Sequence, residues 1–211
     1  MNTFLLPQLT LALPAEAVLG FASLLQHGML VGVDRPVAVL PLLLTLPGFT
    51  AEYIEKTVQT IFINGVAADS FDQLLPAGST LALSAAMPGL AGAIFRRQGL
   101  HGTLRSQPEA KVAIPQSASG FITLKLFNSI ATDRIRDLLP HGICCTGKRF
   151  YDFAAQREYL FQPPVAVSFA DQPLEFAELL QTVAKCPLLL VTANLFGNQI
   201  DPGRSLPCFQ G

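Results

Sequence analysis

The sequence predicts an α+β protein made of two consecutive folding units. Three observations carry that expectation. Short apolar, strand-like runs alternate with helix-patterned stretches along the whole chain. Gly, Pro and Asn punctuate them at regular intervals. A proline- and serine-containing passage at 109–119 divides the pattern, which sets units at 1–107 and 120–197, a linker at 108–119 and a loose tail at 198–211. With 211 residues, half of them hydrophobic, the chain can bury a core without metal or disulfide support.

In the first unit, residues 3–14 read as a strand, and the proline at position 7 suggests that it lies at a sheet edge. Residues 15–27 follow as a helix with Val18, Phe21, Leu24 and Leu25 on one side and Gly28 as its stop. A second apolar strand is expected over 36–46. Thr50 then heads a helix that turns Tyr53, Ile54 and Val58 inward and Glu52, Glu55 and Lys56 outward. Residues 60–64 form a strand running into Asn64-Gly65, a tight-turn dipeptide. A connection with a helical turn at 71–75 leads to the turn at Pro76–Gly78 and a strand over 80–85.

This order of helix, strand, Asn-Gly, variable segment, Gly turn, strand and Pro-Gly resembles the second half of the ubiquitin-like β-grasp fold. It is most similar to the small bacterial sulfur carriers, through Phe62, Asn64, Gly65, Leu75, Gly78, Leu81, Leu83, Pro88 and Gly89. The resemblance covers about forty residues and implies a β-grasp-like N-terminal unit. Sulfur carriers end in a free Gly-Gly tail. Here the chain runs on past Pro88-Gly89-Leu90-Ala91-Gly92 and ends Cys208-Phe209-Gln210-Gly211, so sulfur-carrier chemistry is not implied.

In the second unit, residues 120–128 read as a strand with Ile122, Leu124 and Leu126 on one face and Phe121 apart from them. Residues 129–139 form an amphipathic helix with Ile130, Ile135, Leu138 and Leu139 inward, ended by Pro140 and Gly142. Strands at 143–153 and 164–169, a helix at 174–184 and a buried strand at 188–193 complete the pattern. The order βαββαβ is the ferredoxin-like arrangement.

Charged residues are 14% of the chain, against about 25% in ordinary domains. A well-filled core accounts for this, and so does an apolar face covered in a homo-oligomer. The net charge of −1 is spread evenly, with five bases and six acids up to Arg105 and nine of each beyond it. That balance speaks against nucleic acid as a partner. The longest apolar run, 37–47, is broken by Pro41 and is far short of the roughly 20 residues of a membrane helix, so no membrane partner is expected. The N-terminus lacks the basic start of a signal peptide, and a cytoplasmic protein with reduced thiols is expected.

Three motifs attract chemical readings. Gly142–Lys148 has the spacing of a phosphate-binding loop, but Arg149 stands where the metal-binding hydroxyl should be, and a helix rather than a strand precedes it. His141, Cys144 and Cys145 supply soft ligands, yet neighbouring residues on a strand face opposite ways. No metal is expected there, and a thiol or metal function is the weakest reading. Pro88–Arg105 is the candidate anion site: Gly89 and Gly92 let backbone amides approach a ligand, and Arg96, Arg97 and Arg105 offer forked donors with no acidic residue between Asp72 and Glu109.

No cofactor is identifiable. The expected function is a non-catalytic binding or interaction module. An enzyme or carrier for a small anionic ligand, bearing phosphate or carboxylate, is the alternative.

Overall fold

The computed structural model describes residues 6–85, Phe95 and residues 119–197. The first strand, β1 (Gln8–Pro14), buries Leu9, Leu11 and Leu13 on one face and leaves Thr10 and Ala12 half-buried on the other. That alternation suits a sheet with one face on a core. The strand is central rather than at an edge. It runs parallel to β12 (Leu189–Phe196) on one side and antiparallel to β10 (Ala166–Phe169) on the other. Pro7 does not force an edge because it sits just before the strand, where only its carbonyl is needed: that oxygen accepts from Leu190 N at 3.0 Å. The whole sheet has the order β11-β10-β1-β12-β9, with β9 at Ile143–Cys145 and β11 at Gln172–Pro173.

Residues 15–27 divide into a 3₁₀ turn at Ala17–Phe21 and a short helix α1 (Leu24–His27), with Gly28 capping it at φ +102°. The four side chains expected to face inward, Val18, Phe21, Leu24 and Leu25, are all buried. A strand absent from the sequence reading, β2 (Met29–Val33), comes next.

The apolar run expected as a strand over 36–46 is a two-residue strand β3 (Val37–Ala38) followed by helix α2 (Val39–Leu44). Pro41 is the third residue of that helix, where an N–H has no intrahelical acceptor, so the proline is tolerated. Helix α3 (Ala51–Thr57) begins as expected, with the Thr50 hydroxyl accepting from Tyr53 N at 3.1 Å. Strands β4 (Thr60–Ile63) and β5 (Val66–Ala68) form a hairpin around Asn64-Gly65, whose φ values of +53° and +81° require that dipeptide. The stretch expected to hold a helical turn carries β6 (Leu74–Leu75), paired with β3.

The second sheet has the order β2-β8-β7-β4-β5, with β7 at Thr80–Ser84 and β8 at Gly120–Phe127. Only β7 and β8 are parallel. Strand β8, expected to open the second unit, thus completes a sheet whose other four strands come from the first half of the chain. Strand β1 does the reverse. The βαββαβ arrangement is not what forms: β8 is missing from the sheet that holds β9, β10 and β12, and β1 occupies its centre. Periodicity fixes which face of a strand is buried, but not which neighbour it pairs with.

Helix α4 (Ser129–His141) carries the chain from β8 to β9 and packs on β12 and β8. Ile130, Ile135, Leu138 and Leu139 are buried beneath it, as expected, and Gly142 caps it at φ +108°. Leu9, Leu11 and Leu13 of one sheet and Ile122, Leu124 and Leu126 of the other belong to one continuous core. The stretch expected as a long strand over 143–153 changes type at Thr146, whose hydroxyl accepts from Arg149 N at 3.2 Å and caps helix α5 (Gly147–Ala154). Phe150, Phe153 and Ala154 form its buried stripe. Helix α6 (Phe176–Ala184) then leads into β12.

Candidate functional site

Of the residues singled out by the sequence, Gly89, Gly92, Arg96, Arg97 and Arg105 lie outside the described residues. Their neighbour Phe95 is described. It is helical, and its ring sits 5.4 Å from that of Phe62 on β4.

The soft-ligand set does not come together. Cys145 is fully buried, and Cys144 points to the other face of β9. Burial, with Cys144 beside it, pushes the Cys145 thiol up to about 12, and burial alone raises Cys144 and Cys186. A raised pKa withholds the thiolate that a nucleophile or metal ligand must be. His141 lies exposed, with Nδ1–H donating to the Asp137 carbonyl. Among the described residues no three His, Cys, Asp or Glu side chains could hold a metal ion.

A helix precedes Gly142–Lys148, as the sequence indicates, although the segment itself runs from the short strand β9 into helix α5. It is still no phosphate cradle. Gly147 N donates to the Cys186 carbonyl at 3.1 Å, and a Cβ at position 147 would lie against the carbonyl oxygens of Val183 and Cys186. The N-terminus of α5 is therefore plugged by the end of α6. An anion would find carbonyl oxygens there instead of free amides.

Two features of the second sheet do point to recognition. One is its outer face. In register across the sheet, Phe62, Ala82 and Lys125 are neighbours, as are Gly32 and Phe121 and, one step away, Thr123 and Thr80. All of these alternate with the core residues Ile61, Leu83, Leu124 and Leu126. The face therefore carries phenylalanines at positions 62, 121 and 127, and Phe121 is 42% exposed.

The other feature is a basic cluster where β8 meets α1 and α5. The Arg149 guanidinium donates through Nη2 to Thr123 Oγ1 at 3.3 Å, while its Nη1 is enclosed with no hydrogen-bond partner. Lys125, two residues along the same face, has no carboxylate partner among the described residues; Asp152, the nearby acid, is taken by Lys148 at 2.7 Å. His27 ends α1 beside them. Burial and then the positive charge of Arg157, with a smaller push from Lys125, leave its pKa below the ordinary 6.5 against the opposing pull of Asp152. Arg157 itself lies over the Phe153 ring, 5.0 Å from its centre, and donates to the Phe153 carbonyl.

Sequence reading missed this cluster. Lys125 is the one charge inside the strand 120–127, but the expected strand over 143–153 hides the approach of Arg149 to β8.

Among the described residues no helix is long and apolar enough to cross a membrane. No known protein family, curated protein or solved structure matches the chain.

Proposed function

We propose that the protein is a non-catalytic binding module that engages another protein surface through the outer face of its second sheet, with a second copy of the chain as the first partner to test. The observation that carries this reading is Phe121, a large apolar side chain 42% exposed on a sheet face that also bears Phe62 and Phe127. A soluble sheet ordinarily turns polar residues to water on the face opposite its core. An exposed phenylalanine on that face fits the apolar centre of an interface. The small charged share of the sequence, 14%, agrees with a surface partly covered in use.

The β-grasp resemblance belongs to the same reading. The order of the second sheet supports it: a parallel central pair, β8 and β7, flanked by antiparallel β2 and by the antiparallel β4–β5 hairpin. In this account β8 takes the place that the first strand of a β-grasp unit would fill.

The test is molar mass by light scattering across a concentration series. The expected result is a species heavier than the 22.6 kDa chain that dissociates on dilution and is absent in Phe121→Asp. A monomer at every concentration, with Phe121→Asp indistinguishable from the parent protein, removes the self-association form of the reading.

A second reading, a small anionic ligand held by the segment with Gly89, Gly92, Arg96, Arg97 and Arg105, is favoured by the Phe95–Phe62 contact. That contact fixes the residue next to Arg96 in the sequence at this same face.

A further inference from the structure

We propose that Arg149, Lys125 and Thr123 form a binding site for a phosphate group, at the joint between the outer face of the second sheet and helices α1 and α5. The site lies on the same face of β8 as Phe121, two and four residues further along the strand, and rests on charge and hydrogen bonding rather than on the apolar side chains.

The charge balance is the first ground. Arg149 and Lys125 are both half-buried, and among the described residues neither is paired with a carboxylate. A half-buried guanidinium whose enclosed Nη1 is unpartnered is left short of a hydrogen bond. An anion that entered beside it would supply both the missing acceptor and the missing charge.

Donor geometry is the second ground. Thr123 Oγ1 accepts from Arg149 Nη2, so its own hydroxyl proton is free to be donated onward. The guanidinium of Arg149 comes from α5, and the ammonium of Lys125 and hydroxyl of Thr123 come from β8. Donors drawn from two elements suit a tetrahedral oxyanion better than a planar carboxylate, which one arginine fork can satisfy alone.

Space is the third. Gly28 faces this cluster with φ +102°, and a Cβ there would stand 2.8 Å from Thr123 Cγ2 and 3.4 Å from Lys125 Cγ. The missing side chain lets the end of α1 pack directly on Thr123 and on the Lys125 stem, which fixes both side chains at the joint. Asp152, the acid that would otherwise compete, is occupied by Lys148.

The experiment is a titration of the whole protein with inorganic phosphate at low ionic strength, followed by NMR on the Thr123 and Lys125 amides, with citrate titrated in parallel. Saturable shifts with phosphate are expected, with citrate weaker. Arg149→Gln and Lys125→Gln should each weaken phosphate binding by about tenfold or more, as expected for loss of a charge-assisted hydrogen bond. Lys56→Gln removes the same charge far from the site and should change nothing. Should Arg149→Gln fail to fold, Lys125→Gln decides the matter alone. The proposal is overturned if phosphate gives no saturable shifts, if citrate binds more tightly, or if Lys56→Gln weakens binding as much as Lys125→Gln.

Discussion

At the residue scale, His27 reports on its surroundings more directly than any other side chain. Its imidazole is half-buried and faces the cations Arg157 and Lys125, with Asp152 as the one opposing acid. Its protonated form is therefore disfavoured in the folded state. As pH falls, the unfolded chain takes up the proton first, so the stability tied to neutral His27 is complete above about 6.5 and is lost as pH drops through the lower folded value. NMR titration should place the His27 pKa below 6.5, and Lys125→Gln should raise it by removing a neighbouring positive charge. Between about pH 7 and about pH 5 the parent protein should lose more melting temperature than His27→Gln does. A His27 that titrates at or above the ordinary value would mean that the basic cluster is not assembled as described. The cysteines teach the complementary lesson. Their spacing already argued against a shared metal, and the burial of Cys145 explains why: it is a core side chain on a strand whose other face carries Cys144.

Elements were legible where the sequence held both a period and a boundary. Helix α4 had an amphipathic stripe and a Gly stop, and it formed within two residues of expectation. The β4–β5 turn was written in Asn64-Gly65, whose backbone conformation few other pairs adopt. The misreadings have a common physical origin. In both 36–46 and 143–153 a short strand passes directly into a helix, so β-type content at the front masks helical spacing behind. Thr146 was the available signal, since a Thr followed by apolar residues at 150, 153 and 154 is an N-cap before a helical stripe. The helix it starts is held against α6 by close backbone contact at Gly147. Gly147→Ala would push a methyl group onto the Val183 and Cys186 carbonyls, and we expect a loss of about 1–3 kcal/mol in denaturant unfolding. An alanine variant as stable as the parent would show that α5 and α6 are not packed this tightly.

For the whole molecule, the sequence locates β1, β4, β7, β8, β10 and β12 but not β2, β5, β6 or β11, and both sheets cross the division it suggests. Each five-stranded sheet draws strands from both sides of the 108–119 passage: β1 joins β9, β10, β11 and β12, and β8 joins β2, β4, β5 and β7. Side-chain alternation in β1 and β8 is equally compatible with either sheet, so no local pattern could have assigned them. The consequence for function is that the Phe121 face and the Arg149–Lys125–Thr123 cluster both depend on β8 being seated among strands from the other half of the chain. The measurement that tests this interleaving most directly is to produce residues 1–107 and 120–211 separately and record NMR spectra of each alone and of the mixture. Neither piece should show the dispersed spectrum of a folded domain, because each leaves a sheet without a central strand and exposes its apolar face. Mixed, the two should recover the native spectrum. Two pieces that each fold alone, and ignore one another when mixed, would contradict the interleaved sheets and with them the placement of both sites.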